Sequence, residues 1–365
     1  MKKNIVIFGG AFDPIHNGHL NMAVNAAKYL DAEVYFVPAP ISVWKSESAN
    51  IEDKINMINL AIKSIGAEEY LKISRFEADS GNSVNYSIDT VKYFSSTYKE
   101  HKIYLLIGSD QVNNFDKWKS AEEISKLVQI IYFERPDMEL DNNIISRFNM
   151  LPIKGELSTA SSTAIRELKN SDTPLEVLNY IIDHDLYFIN KIKSYLNIAR
   201  YQHSVSVARL AYEIAVKNSL KNPGDYLFAG LLHDIGKDVP ILKQKEIVED
   251  YYKEFANVDK KIFHQFVGEY LAKKDFGISD ENILKAIKYH TTGRAKMSDM
   301  EIVIYSADKI EPTRGFDSRW LINAIEVNLI EGFKTILKDN VKYFETNNID
   351  YKNELTIACL DYYLK

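Results

Sequence analysis

The stretch Gly9-Gly10-Ala11-Phe12-Asp13-Pro14-Ile15-His16-Asn17-Gly18-His19-Leu20 puts two glycines after a short apolar run and two imidazoles around an Asn-Gly pair. Glycine lets backbone come close to a ligand. Histidines at the start of a helix stand where amide N–H groups and the positive dipole end already favour phosphate. Such a set can hold a triphosphate and stabilise charge that develops during phosphoryl chemistry. A second set is dispersed: His203, the adjacent pair His233-Asp234, His264, His290 and Asp308, which includes four of the chain's eight histidines. Imidazole with carboxylate suits iron, manganese, zinc and similar ions rather than calcium. An aspartate can bridge two metals while histidines complete the coordination, and such a pair lowers the pKa of a bound water and clamps phosphate. Any one of these histidines is more often structural than a ligand. The joint pattern points to a metal centre.

The elements that must position these residues follow from periodicity. Residues 3–8, 33–40, 72–76, 102–108 and 127–133 are short apolar runs that read as strands. Helical segments separate them, from Gly18 to about Leu30, near 52–65 and near 87–98. Strands alternating with helices imply a parallel sheet with crossover connections, whose ligands bind at the carboxyl ends of the strands. After about residue 160 the strands stop, and STASSTAIRELKN reads as a capped helix start. From Leu186 onward the segments are amphipathic helices; Val205, Ala208, Ala211, Ile214 and Ala215 recur at helical spacing. The shift places a boundary near 190, giving domains 1–190 and 191–365. Each member of the second set falls in a segment that reads as helical. LLHDIGK at 231–237 is apolar up to His233 and polar after it, as when helices deliver ligands to the inside of a bundle.

Bulk properties agree. The 365 residues exceed what one core usually holds. Net charge is −6 and pI about 5.8, which argues against a general nucleic-acid binder. Cys359 is the one cysteine, so no internal disulfide forms and a reducing compartment, the cytoplasm, is expected. The apolar run after Met1 is broken at Gly9 and Gly10, so it reads as a buried strand and not a leader. No apolar stretch reaches the roughly 18 residues of a membrane span. The composition is compatible with a monomer or a homo-oligomer.

The first strand, the pattern GGxFDPxHxGH and SSTAIRE at 161–167 together resemble the nicotinate/nicotinamide mononucleotide adenylyltransferases, over roughly residues 1–188. LLIGSD at 105–110 with Trp118, YSIDT at 86–90 and NYIIDHDLY at 179–187 fit the same family. The resemblance implies a Rossmann-like nucleotidyltransferase domain in which ATP and nicotinate mononucleotide give the dinucleotide and pyrophosphate, with Mg²⁺ on the phosphates. It implies that His19 stabilises the transition state and His16, Lys45 and Arg166 hold phosphates. Gly9, Gly10, Phe12, Gly108, Asp110, Ser162 and Thr163 would complete the nucleotide site. Ser87, Thr90 and Trp118 would face the pyridine substrate. Ser162 and Thr163 would cap a helix whose amides face phosphate. Two positions depart from the family: Trp44 stands where a histidine is usual, beside Lys45, and the Tyr-Thr of the pyridine loop is Tyr86-Ser87. Nicotinamide mononucleotide and pantetheine phosphate remain alternative substrates.

HD-x-x-K at 233–237 resembles the HD superfamily of metal-dependent phosphohydrolases, an all-α fold. RYQHS at 200–204, YHTTGR at 289–294 and ADKIEPTR at 307–314 are similar to the bacterial members that split diadenosine tetraphosphate symmetrically, over roughly 191–365. The resemblance implies a binuclear centre of iron, with manganese or cobalt as alternatives. Its ligands would be His203, His233, Asp234, His264, His290 and Asp308. Asp234 and Lys237 would be catalytic. Lys237, Thr291, Arg294 and Arg314 would contact phosphates, and hydrolysis by a metal-activated water would give two ADP. Hydrolysis of another nucleotide, or a non-catalytic sensor, are the alternatives. One site would then make adenylyl–phosphate bonds and the other break a related one.

Overall fold

The computed structural model describes residues 4–40, 48–81, 85–134, 138–155 and 160–365. The chain divides into two compact units. The first is Met1–Arg166 with Asp172–Tyr187, and the second is Glu167–Ser171 with Phe188–Lys365.

Six parallel strands make the sheet of the first unit: β1 (Asn4–Gly10), β2 (Ala32–Pro38), β3 (Leu71–Ile73), β4 (Lys102–Gly108), β5 (Gln129–Phe133) and β6 (Leu151–Ile153). Their order is β3-β2-β1-β4-β5-β6. In register, Ile7 of β1 lies beside Tyr35 of β2 and Leu105 of β4. Strands covered on both faces need continuous apolar runs, and Ile5, Val6, Ile7 and Phe8 are all buried. The chain builds outward from β1 to β3, then returns to lay β4 on the other side of β1. That reversal leaves a crevice at the carboxyl ends of β1 and β4. The helices Asn17–Leu30, Ile51–Ser64 and Ser87–Thr97 are among the crossovers.

Three local readings are corrected. The strand expected at 72–76 ends at Ile73, because Arg75 turns the chain: its carbonyl accepts from Asp79 N at 2.8 Å and its guanidinium pairs with Glu52 and Asp79. The strand expected from 127 starts at Gln129, since Leu127 closes the helix Ala121–Leu127 and Val128 N–H caps it on Ile124 O. The edge strand β6 was not expected; its Pro152 is tolerated because an edge residue can lack a ladder donor.

Among the described residues the second unit is helical throughout. Helix Ile198–Lys217 packs on Pro223–Leu232 so closely that a Cβ on Gly230 would lie 2.5 Å from Ala208 Cα. The buried face of the first helix is Ser204, Val207, Ala208, Leu210, Ala211, Ile214 and Ala215. It is rotated from the expected stripe, leaving Val205 half-buried. Helix Asp299–Ile310 is buried almost all round, including Glu301, Ser306 and Asp308. Its start is a capping box in which Glu301 N donates to Ser298 Oγ at 3.3 Å and Ser298 N to Glu301 Oε2 at 2.8 Å. No described helix is long and apolar enough to cross a membrane.

The turn that carries His233 and Asp234 sits against helix Phe263–Asp275 through Gly236. A Cβ there would meet His264 O at 2.4 Å and Gly268 N at 2.6 Å, both backbone atoms that cannot rotate aside. Gly236→Ala should therefore destabilise the protein by about 1–3 kcal/mol through overpacking, read as a lower melting temperature. A melt matching wild type would show that the two backbones can separate without cost.

Candidate functional sites

The crevice of the first unit is a cavity of about 720 Å³. Gly9 and Gly10 end β1, Gly108 ends β4 and Asp110 follows it. His16 caps helix Asn17–Leu30, its backbone extended and its Nδ1 accepting from His19 N at 3.4 Å. An accepting Nδ1 places the proton of a neutral ring on Nε2. The His16 and His19 rings stack at 3.7 Å, and the edge of His19 meets Phe12 at 5.0 Å. The Asn17 amide at this helix start is taken by Asp172 O at 3.1 Å. Ser162, Thr163, Ser87 and Trp118 line the same cavity, and Phe115 braces the Trp118 ring at 5.0 Å.

Three expected residues stand elsewhere. Phe12 is buried, with φ 45° and its ring wedged between Phe8, Phe36 and His19, so it supports the loop from beneath. Thr90 is also buried, donating to Glu77 Oε1 at 2.6 Å. Arg166 turns away from the cavity: its guanidinium donates to Asp13 O and to Thr163 Oγ1 and lies 4.0 Å from Asp13 Oδ2. A buried carboxylate demands a counter-charge, and Asp13 takes this one. The same Asp13 Oδ1 accepts from Ala49 N and from Tyr187 OH, at 3.1 and 2.7 Å. Finally, the helix Ser162–Arg166 is capped by Ser161, whose Oγ accepts from Ala164 N at 3.5 Å; Ser162 Oγ donates instead to Pro14 O at 2.8 Å. Lys45 and Trp44 lie outside the described residues. The sequence missed Glu77, Asn85 and Gln111, which line the cavity. Burial pushes the Glu77 carboxyl above its ordinary range. A lone glutamate in a loop has no local signature.

In the second unit the dispersed residues converge. His203, His264 and Asp308 sit within helices, whereas His233 and His290 stand just past the ends of Pro223–Leu232 and Glu281–Tyr289. The difference has a physical use. The last carbonyls of a helix lack intrahelical partners, and His233 Nδ1 and His290 Nδ1 bond to Gly230 O and Ile287 O, each at 2.7 Å. His264 Nδ1 bonds to Lys261 O at 2.9 Å. A carbonyl only accepts, so each Nδ1 carries the proton and each Nε2 turns a lone pair inward. Burial holds the His264 and His290 rings well below and below their ordinary pKa, respectively, hence neutral.

Asp234 and Asp308 face these lone pairs. Asp234 Oδ1 is 3.5 Å from His290 Nε2 and 3.7 Å from His264 Nε2, and Asp308 Oδ1 is 3.0 Å from His203 Nε2 and 3.6 Å from His233 Nε2. Burial opposes the charge on Asp308, but Lys309 beside it, with His203 and Arg314, outweighs burial and holds that carboxyl well below the usual range. His203, His233 and Asp308 form one set of candidate ligand atoms within 4.8 Å, and His233, Asp234 and His290 a second. His264 joins neither set; Lys237 Nζ and Thr291 Oγ1 approach its Nε2 at 3.1 and 3.0 Å. The donors fit a divalent cation. His233 Nε2 is buried, has no hydrogen-bond partner, and points a lone pair at two carboxylates. With a neutral ring that arrangement is repulsive unless a positive charge lies between them.

Lys237, Thr291 and Arg314 line the cavity in front of this cluster. Arg294 does not. It is bidentate to the buried Glu301, at 2.6 and 2.7 Å, and lies over the Tyr289 ring. Glu301 belongs to the capping box, so Arg294 neutralises a helix start. Arg200, Lys309 and Glu311 line the cavity without having been singled out. Arg200 bonds Asp234 Oδ2 at 3.0 Å, and Lys309 bonds Asp308 Oδ2 at 2.7 Å. Arg200 lies within the RYQHS string, and Lys309 and Glu311 lie within ADKIEPTR, which were the available signals.

Residues 7–168 match the cytidylyltransferase-like family, and residues 200–313 match the HD domain family. The chain is 34% identical over 348 residues to a Mycoplasma genitalium protein named "Probable nicotinate-nucleotide adenylyltransferase/Ap4A hydrolase", covering 93% of this chain and 98% of that one. A Mycoplasma pneumoniae protein of the same name is 31% identical, covering 91% and 98%. A Staphylococcus epidermidis protein named "Probable nicotinate-nucleotide adenylyltransferase" is 33% identical over 51% of this chain and 98% of its own length.

Two outcomes follow for the metal-binding cluster. Removing divalent ions with a chelator should lower the melting temperature, and Mn²⁺ at a hundred times its Kd should restore about 2.7 kcal/mol of stability; a melt indifferent to both treatments would count against a metal centre. Burial disfavours charge on His203, but its bonds to Asp308 and Glu311 outweigh this and push its pKa up to about 9. Below that value the ring holds a proton that a cation must displace. Metal affinity measured by titration should therefore rise by about tenfold per pH unit up to about pH 9 and then level off.

Proposed function

The chain belongs to the nicotinate-nucleotide adenylyltransferase/Ap4A hydrolase family, and from that premise we propose that residues 1–190 adenylylate a pyridine mononucleotide while residues 191–365 hydrolyse a dinucleoside polyphosphate. The first reaction joins ATP and nicotinate mononucleotide into deamido-NAD and pyrophosphate. The second splits diadenosine tetraphosphate into two ADP. Both are reactions of small nucleotides in the cytoplasm, and the chain's net charge of −6 supports that over nucleic-acid binding.

In the first reaction a phosphate oxygen of the mononucleotide forms a bond to the α-phosphorus of ATP as the bond to the β-phosphate oxygen breaks, and pyrophosphate leaves. No proton transfer or covalent enzyme intermediate is required, so catalysis is positioning and charge stabilisation. The observation that carries this reading is the stacked His16–His19 pair at the open end of β1. His19 acts on the charge that builds in the transition state. His16, with Nδ1 engaged by the helix amide, presents Nε2–H to phosphate. Gly9, Gly10, Gly108, Asp110, Ser162 and Thr163 surround the nucleotide, and Ser87 and Trp118 face the pyridine ring. Thr90 acts through Glu77, and Arg166 and Phe12 act by holding the Gly-His loop. A phosphate-holding role for Lys45 rests on the family resemblance of the sequence alone. Mg²⁺ bound to the phosphates would neutralise part of their charge.

In the second reaction His203, His233, Asp234, His264, His290 and Asp308 would hold two transition-metal ions, iron in the first instance with manganese or cobalt able to substitute. Bound there, such ions would lower the pKa of a water and polarise the phosphate it attacks. The observation that carries this reading is the buried, unpartnered His233 Nε2 among carboxylates. Lys237, Thr291 and Arg314 hold the phosphate chain, joined by Arg200 and Lys309. Burial pushes the Lys237 ammonium down from its ordinary pKa, so it sheds a proton more readily than a surface lysine.

Separate variants test the two halves. His19→Ala should lose about 10²–10³-fold in adenylyl transfer while keeping ATP affinity and full hydrolysis of diadenosine tetraphosphate. Asp234→Ala should abolish hydrolysis and leave transfer intact. Transfer near wild type in the first variant, or hydrolysis near wild type in the second, would sink the corresponding assignment.

A further inference from the structure

Three of the four histidines in the helical cluster anchor Nδ1 on a backbone carbonyl three residues earlier: Gly230, Lys261 and Ile287. Those carbonyls are available because the histidines stand at or beside helix ends. His203 has no such option. It lies inside helix Ile198–Lys217, where the preceding carbonyls are consumed by the i to i−4 ladder. Its Nδ1 is met by a side chain instead, Glu311 Oε1 at 3.0 Å.

Glu311 is built for that position. It is 1% exposed, at the point where helix Asp299–Ile310 gives way to the turn Pro312–Arg314. Its carboxylate also accepts from Thr313 N at 2.7 Å and from Thr313 Oγ1 at 2.7–2.8 Å. The Thr313 N–H and hydroxyl donate to this carboxylate, so it serves as an acceptor and His203 Nδ1 is the donor of the 3.0 Å bond. It therefore keeps a proton on His203 Nδ1 and aims Nε2 toward Asp308 and His233, whose oxygens and ring belong to one candidate ligand set. The turn that Glu311 caps also carries Arg314, whose Nη2 reaches Asp308 at 2.7 Å.

We infer that Glu311 is a positioning residue of the metal centre: by fixing the tautomer and orientation of His203 it makes that histidine a ligand, doing with a buried carboxylate what backbone carbonyls do for the other three. The inference rests on the metal-centre reading above. It assigns Glu311 no contact with substrate or with the ion itself.

Metal affinity, not turnover, is the readout. Full-length protein freed of metal is titrated with Co²⁺ against a chromophoric chelator, and the visible d–d bands of bound Co²⁺ report the ligand field. Glu311→Ala should bind Co²⁺ about 10–100-fold more weakly than wild type, with altered bands. Glu311→Gln keeps an acceptor oxygen but no charge, and a neutral acceptor bonds imidazole more weakly. Its affinity should fall between the other two, with bands close to wild type. Should Glu311→Ala fail to fold, Glu311→Gln decides alone: several-fold weaker binding is expected, and wild-type affinity overturns the inference. Wild-type affinity and bands in Glu311→Ala, or a Gln variant no better than Ala, also overturn it. Wild-type protein that takes up no Co²⁺ would instead bring down the metal-centre reading, and this inference with it.

Discussion

A carboxylate removed from water must find positive charge or proton donors, and the helical unit is organised around that demand. Asp234, Asp308, Glu301 and Glu311 are all buried, and each would be costly alone. Each is matched. Asp234 and Asp308 have imidazoles on one side and Arg200, Lys309 or Arg314 on the other. Glu301 has Arg294, and Glu311 has His203 and Thr313. Because Arg200 reaches Asp234, and His203 reaches Asp308 and Glu311, across helix boundaries, the ionic network also fixes how those helices meet. Removing one member would leave a buried charge uncompensated, which costs more than the pair contributes.

The same demand works on a smaller scale in the sheet unit. Asp13 is buried beside the glycine-histidine loop and collects Ala49 N–H, the Tyr187 hydroxyl and the Arg166 guanidinium. Three separate stretches are thereby tied to the loop that carries His16 and His19. The loop can stay irregular, with Phe12 in the left-handed region, because it is held from several sides. The parallel sheet supplies the other half of the arrangement by leaving a crevice where β1 and β4 diverge in chain order.

The two cavities differ in the groups they offer a phosphate. The sheet site offers imidazoles and glycine-edged backbone, and no lysine or arginine is among its described lining residues. The helical site is lined by Arg200, Lys237, Lys309 and Arg314 around a donor set suited to divalent ions. One family carries both on a single chain.

Residue types and short-range spacing determined a good deal without any structure. The alternation of apolar runs and helical segments gave the parallel sheet and the change to helices, because periodicity is a local property. GGAFDPIHNGH and LLHDIGK announced their chemistry, since consecutive residues at an element's end stay together however the chain folds. Direction was not legible. Arg166 and Arg294 read as phosphate contacts, yet each turns to a buried carboxylate, Asp13 or Glu301. Thr90 and Phe12 lie one layer behind the surface they were expected to form. Glu77 enters its site as a single side chain from outside any motif, whereas Arg200, Lys309 and Glu311 lie within RYQHS and ADKIEPTR and only their direction was hidden. Only the tertiary structure could decide these, because where a charged side chain points depends on which opposite charge lies buried nearby, and that partner is set by packing between elements distant in sequence.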